Sequence, residues 1–123
     1  MSHDSLSIDV TTTDDGKIQL FGLGGSLDIA TSPSLRATLM EAADRDNHEI
    51  VVDLSQLEFL DSTGLGALIG AHKRAAEHGG SVRLVAHEGQ ILRLLRITGL
   101  LEVFAVYPSV DAALADDARL VGL

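Results

Sequence analysis

From Ser32 onward, helix-type and strand-type segments alternate along the chain. That order calls for a sheet whose later strands run parallel, joined by right-handed helical crossovers. Ser32-Pro33 reads as an N-cap followed by proline at the first helical position. Leu35, Leu39 and Ala42 then mark the inner face of a helix that Asp46-Asn47-His48 ends. Ile50 to Leu54 is a continuous apolar strand broken only by Asp53, which reads as a strand-end residue with a local hydrogen-bonding role. A second helix opens at Ser62, runs to about His78 and stops at Gly79-Gly80. Val82 to Ala86 is a strand, Ile91, Leu94 and Leu95 line a short helix that stops at Gly99, and Val103 to Val106 is a last strand. Pro108-Ser109 starts a final helix carrying Val110, Ala113 and Leu114. Ahead of all this, Leu6–Val10 and Lys17–Leu23 alternate apolar and polar residues around the turn signal Asp14-Asp15-Gly16, so they pair as an antiparallel hairpin. Gly24-Gly25-Ser26 loosens the exit from the second strand. The expected class is α/β: a mixed central sheet, N-terminal hairpin then parallel strands, packed with about four helices.

Length and charge narrow the function. A chain of 123 residues is one domain with one ordinary core. With only three Phe and one Tyr, that core is built from Leu, Ile, Val and Ala. A net charge of −9, with Lys17 and Lys73 the only lysines, argues against a nucleic-acid surface, which needs clustered cations. It suits docking to basic protein surfaces. The absence of Cys excludes disulfides, zinc–cysteine sites and thiol nucleophiles. Met1-Ser2-His3-Asp4-Ser5 lacks the basic and apolar regions of a signal peptide, and no apolar run reaches membrane-spanning length. A soluble, cytoplasmic protein without membrane insertion is the expectation.

The string Asp61-Ser62-Thr63-Gly64-Leu65-Gly66 follows the buried-type strand and opens the second helix. A hydroxyl at such a strand-to-helix turn is exposed at the positive end of a helix. Serine there is also a good N-cap, and Asp61 stabilises the turn. At about 100° per residue, Leu65, Leu68, Ile69, His72, Ala75 and Ala76 share the core-facing arc, while Ser62, Gly66, Gly70, Lys73 and Glu77 share the arc facing water. Two glycines on an exposed helical face each cost roughly 1 kcal/mol against Ala. They admit either a neighbouring element of the same domain or a partner lying flat, and the partner is the reading favoured here. Lys73 pairs with Glu77 at i+4 or with the partner, the helical pair being the simpler of the two.

Catalytic readings find little support. Gly24-Gly25-Ser26-Leu27-Asp28 and Leu60-Asp61-Ser62-Thr63-Gly64 each miss one glycine of a hydrolase elbow. There is no Walker A or dinucleotide fingerprint. The five His residues lack metal-ligand spacing: His72 reads as a satisfied core histidine, and His48, His78 and His87 as solvated. Arg93 and Arg96 read as solvated charges. A phosphoacceptor receiver domain could use Asp53, but Asp14-Asp15 sits in a hairpin turn and no lysine follows Lys73. No catalytic residue, metal or cofactor is expected.

Val51-Val52-Asp53-Leu54-Ser55 followed by Phe59-Leu60-Asp61-Ser62-Thr63-Gly64-Leu65-Gly66 resembles the STAS domain family, and more closely its bacterial anti-sigma factor antagonists. Gly25-Ser26-Leu27-Asp28 is similar to the family's segment between second strand and first helix, and Thr98-Gly99 with Leu100 to Val106 to its C-terminal turn and strand. The resemblance implies a single STAS domain over residues 1–123, with a core of about 6–119. It implies a partner switch. The unphosphorylated antagonist binds an anti-sigma factor that is also a serine kinase, which frees a sigma factor. Phosphorylation of Ser62 ends the binding, and a PP2C-type phosphatase restores it. Asp28 matches a family position beside the phosphorylated serine. The partner surface so expected comprises Asp28, Asp61, Ser62, Thr63, Gly64, Gly66, Gly70 and Lys73. STAS domains also serve in stress-signalling complexes and in lipid or anion transport systems, and the residues do not exclude such a role.

Overall fold

The computed structural model describes residues 5–46, 48–116 and 119–120. Asn47, expected in the stop of the first helix, and the terminal residues 1–4 and 121–123 lie outside the described residues. A five-stranded sheet has its strands in sequence order: β1 (Leu6–Thr12), β2 (Ile18–Leu27), β3 (Glu49–Leu60), β4 (Ser81–Val85) and β5 (Ala105–Tyr107). β1 and β2 are antiparallel and every later pair is parallel. The helices are α1 (Ser32–Ala43), α2 (Ser62–Glu77), α3 (Gln90–Ile97) and α4 (Val110–Ala115), and a 3-10 turn at Leu100–Glu102 precedes β5.

Strand alternation divides the core between two faces. Ile50, Val52 and Leu54 of β3 join Leu35 and Leu39 of α1, Leu65 and Leu68 of α2, and Leu92 and Leu95 of α3. Val51, with its side chain on the opposite face, joins Val85, Tyr107 and Ala113. α1, α2 and α3 therefore cover one face, and α4 lies on the other. Arg83 ties α4 to the sheet by donating to the Ala113 carbonyl at 2.7 Å.

Several expectations about boundaries are corrected. β3 does not end at Leu54 but runs on to Leu60, so Asp53 lies within a strand rather than at its end; its carboxylate accepts the Ser55 N–H at 2.9 Å. Gly24-Gly25-Ser26 does not loosen β2 but stays in the sheet, where Gly24 pairs with Gln56 and Ser26 with Phe59. Register shifts between Gly22 and Gly24 and between Gly25 and Ser26 break the two-residue period, which is why Leu54, Leu57 and Leu60 are all buried. Gly25 has φ +87°, and the Ser5 carbonyl lies where its Cβ would be. α1 is capped at Thr31 rather than Ser32, which is buried, and it stops at Ala43. β5 begins at Ala105, leaving Val103 in the turn.

Three histidines also differ from expectation. His48 is buried, with Nε2 3.2 Å from Gln19 Oε1. His78 sits 3.1 Å from Asp46 at the C-cap of α2. His72 is half-buried against the Phe104 ring, 5.1 Å between centroids, but its buried Nδ1 has no hydrogen-bond partner. Burial without that bond pushes its pKa down from 6.5.

Candidate functional site

β2 and β3 end side by side, Leu27 against Leu60, and the Asp61 N–H donates to the Leu27 carbonyl at 3.2 Å. Each strand then turns into a helix at an aspartate. On the β2 side, Asp28 Oδ1 accepts the N–H groups of Ala30 at 2.9 Å and Thr31 at 3.1 Å. The Thr31 hydroxyl accepts the Asp28 N–H at 2.9 Å and donates to the Ser26 carbonyl at 2.8 Å. Asp28 thus folds the loop that leads into α1.

On the β3 side, Asp61 is the N-cap of α2. Its Oδ1 accepts the N–H groups of Thr63 at 3.0 Å and Gly64 at 3.1 Å, and the Thr63 hydroxyl at 2.5 Å. The first helical bond, Leu65 N–H to the Asp61 carbonyl, measures 3.0 Å. The Thr63 hydroxyl, followed by the N–H groups of Gly64, Thr63 and Ile29, holds the Asp61 carboxyl below the usual 3.8 against the opposing cost of desolvation.

Because Asp61 takes the cap, Ser62 is the first residue of the helix and not its N-cap. Its side chain is exposed, and its hydroxyl forms no hydrogen bond among the described residues. It stands at the positive end of a sixteen-residue helix. Thr63 is exposed beside it.

The three glycines that follow have different surroundings. Gly64 is buried, and a Cβ there would meet Leu27 Cγ and Leu60 Cδ1 at 2.7 Å. Its missing side chain lets α2 sit on the two strand ends, a packing role within this domain. Gly70 faces α1, where a Cβ would meet Met40 Cε at 3.1 Å and the Arg36 guanidinium at 3.4 Å. It too is a packing glycine of this domain. Gly66 alone of the three has nothing within 4 Å of its Cβ position. Lys73 is exposed, and among the described residues it forms no ion pair with Glu77. Ala76, expected in the core, is exposed, while Ala67 and Ala71 are buried in its stead.

Two large apolar side chains near the aspartates stand out in solvent: Ile29, 74% exposed, in the loop after Asp28, and Phe59, 50% exposed, two residues before Asp61. Ile29 was not singled out in the sequence, since one apolar residue before a predicted helix carries no periodic signal. Among the described residues no cluster of three or more His, Asp or Glu is placed to hold a metal ion, and no helix is long and apolar enough to cross a membrane.

The chain is similar to known proteins. An anti-sigma F factor antagonist of Paenibacillus polymyxa is 35% identical over 95 residues, covering 76% of this chain and 81% of that protein. An anti-sigma-B factor antagonist of Staphylococcus epidermidis is 31% identical over 102 residues, covering 83% and 93%. The crystal structure of an anti-sigma factor antagonist from Mycobacterium paratuberculosis superposes with a TM-score of 0.83 at 29% identity, covering 92% of this chain and 94% of that one. Residues 8–113 match the STAS domain model, from within β1 through β5 into α4, and include the capped turn that presents Ser62. With the fold, the relatives and the family model in agreement, the chain belongs to the STAS domain family.

Proposed function

We propose that this protein is an anti-sigma factor antagonist. In its unphosphorylated form it binds an anti-sigma factor with serine kinase activity, which frees a sigma factor, and phosphorylation of Ser62 switches it off. The observation that carries this reading is the Ser62 hydroxyl, exposed and unbonded at the start of α2. It meets the first demand on a kinase substrate: an accessible oxygen with no competing partner. The names of the relatives support the same reading.

The physics of the switch follows from the site. Phosphorylation adds about −1.5 to −2 charge. At a helix N-terminus an anion gains roughly 0.3–1 kcal/mol, so the free protein keeps its fold. In a docked interface the phosphate lies beside Asp61 and inside a surface fitted to a hydroxyl. An uncompensated buried charge costs about 3–5 kcal/mol, which weakens binding by roughly two to three orders of magnitude or more. No large motion is required.

Around Ser62, the docking surface takes in Thr63, Asp61, Asp28, the open face at Gly66, and Lys73; Ile29 and Phe59 supply apolar contact. Gly64 and Gly70 hold that surface in place from within. A PP2C-type phosphatase reverses the modification. The domain acts by binding and not by catalysis, as a cytoplasmic module whose core spans about 6–119.

The test is to incubate the protein with candidate anti-sigma kinases and ATP, and to map the phosphate by mass spectrometry. The expected result is modification of Ser62, with tight binding by Ser62→Ala and poor binding by Ser62→Asp. Equal affinity of the two variants for the cognate kinase sinks the mechanism.

A further inference from the structure

We propose that Asp61 is a positioning residue that selects which of two adjacent hydroxyls is phosphorylated, by holding that of Thr63 and leaving that of Ser62 free. This rests on the reading of Ser62 as a kinase substrate. Ser62 and Thr63 are both exposed in the first turn of α2, and exposure alone does not distinguish them. Bonding does. The Thr63 hydroxyl donates to Asp61 Oδ1 at 2.5 Å, and the same oxygen accepts the N–H groups of Thr63 and Gly64. The Ser62 hydroxyl has no bond among the described residues.

In the transfer, a bond forms from the acceptor oxygen to the γ-phosphorus of ATP as the bond from that phosphorus to the ADP oxygen breaks. The hydroxyl proton passes to a base of the kinase. Ser62, unbranched and unbonded, can turn its hydroxyl to meet both requirements. Thr63 cannot: its proton is directed at Asp61, its branched side chain is restricted in rotation about χ1, and the incoming phosphate would approach a carboxylate. The product would set a phosphate within bonding distance of that carboxylate and remove a bond from the helix cap. Asp61 therefore does more than start the helix. It excludes the neighbouring acceptor.

The experiment uses the full chain, a kinase that modifies the wild type, ATP, and mass mapping of phosphate on Ser62 and Thr63. Asp61→Gly removes the acceptor oxygen at a position where glycine is a tolerated cap. Asp61→Asn keeps an oxygen in the same place. The share of phosphate on Thr63 rises roughly tenfold or more in Asp61→Gly, the worth of one hydrogen bond to a charged group, and returns to the wild-type share in Asp61→Asn. A merely structural cap would change the rate on Ser62 without moving the phosphate. Ser62→Ala, which keeps Asp61 and alters an exposed side chain, is a second test: it gains no phosphate on Thr63. Phosphate confined to Ser62 in folded Asp61→Gly, or efficient modification of Thr63 in Ser62→Ala, overturns the selection while sparing the reading of Ser62. A wild type that takes no phosphate on Ser62 overturns both.

Discussion

Leu27 and Leu60 pair at the ends of two parallel strands, and Gly64 sits on both of them. A Cβ at Gly64 would lie 2.7 Å from Leu27 Cγ and from Leu60 Cδ1. Gly64→Ala must therefore push α2 off the strand ends that support Ser62. The expected cost is about 1–3 kcal/mol, the range for overpacking a filled core, read as a lower midpoint in urea unfolding. Unchanged stability would show that this contact is soft.

Gly66→Ala has the opposite sign. Its Cβ meets nothing within 4 Å, and the residue lies inside a helix. Stability rises by up to about 1 kcal/mol from helix propensity, while affinity for the anti-sigma kinase falls if this face is the docking surface. Thermal unfolding and binding measured on the same sample separate the two effects. A variant that is more stable and binds as well as wild type would place the partner elsewhere.

Ser62→Asp is expected to split stability from binding in the same way. A carboxylate at the first position of α2 meets the positive helix end and raises stability by roughly 0.3–1 kcal/mol. Affinity for the kinase drops by about two orders of magnitude or more. Loss of stability in Ser62→Asp would mean that the free site does not accommodate an anion.

Asp61 makes the cap sensitive to acid. Its folded pKa lies below the unfolded 3.8, chiefly through the Thr63 hydroxyl. The carboxylate's contribution is thus fully present above the unfolded value and is lost as pH falls through the folded one. Asp61→Ala costs about 0.5–2 kcal/mol at neutral pH, as loss of an N-cap does, and its stability changes less in that acid window. Parallel pH profiles of wild type and variant that differ only by a constant offset would refute this.

His72 acts at milder pH and also favours the higher side. Burial holds its folded pKa below 6.5, so the unfolded chain takes up the proton first. Stability therefore declines as pH drops below 6.5 and levels once the folded pKa is passed. His48 adds a contribution of the same sign through its own burial. His72→Leu removes the unpartnered Nδ1 and flattens part of this slope, which urea titrations between about pH 5 and 8 measure. An unaltered slope would exclude His72 as its source.

Local periodicity carries the element order because each helix or strand buries one face, and that face repeats along the chain. Leu35, Leu39 and Ala42 on α1 and Leu65 and Leu68 on α2 are core residues as their spacing predicts. The second half of β3 was illegible because its bulged pairing with the glycines of β2 replaces the two-residue period. The burial of His48 is illegible for a similar reason: nothing near it in sequence announces Gln19 on β2 as its partner.

The alternation of strands and helices, the acidic composition without cysteine, and the hexapeptide from Asp61 to Gly66 at the start of α2 are all local properties of the chain, legible before it folds. Which of Ser62 and Thr63 has a free hydroxyl, and which of Gly64, Gly66 and Gly70 faces outward, depends on the folded turn and on packing between distant segments. Helical periodicity puts Gly66 and Gly70 on one arc and cannot tell them apart. They differ because Arg36 and Met40, distant in sequence, pack over one and leave the other open.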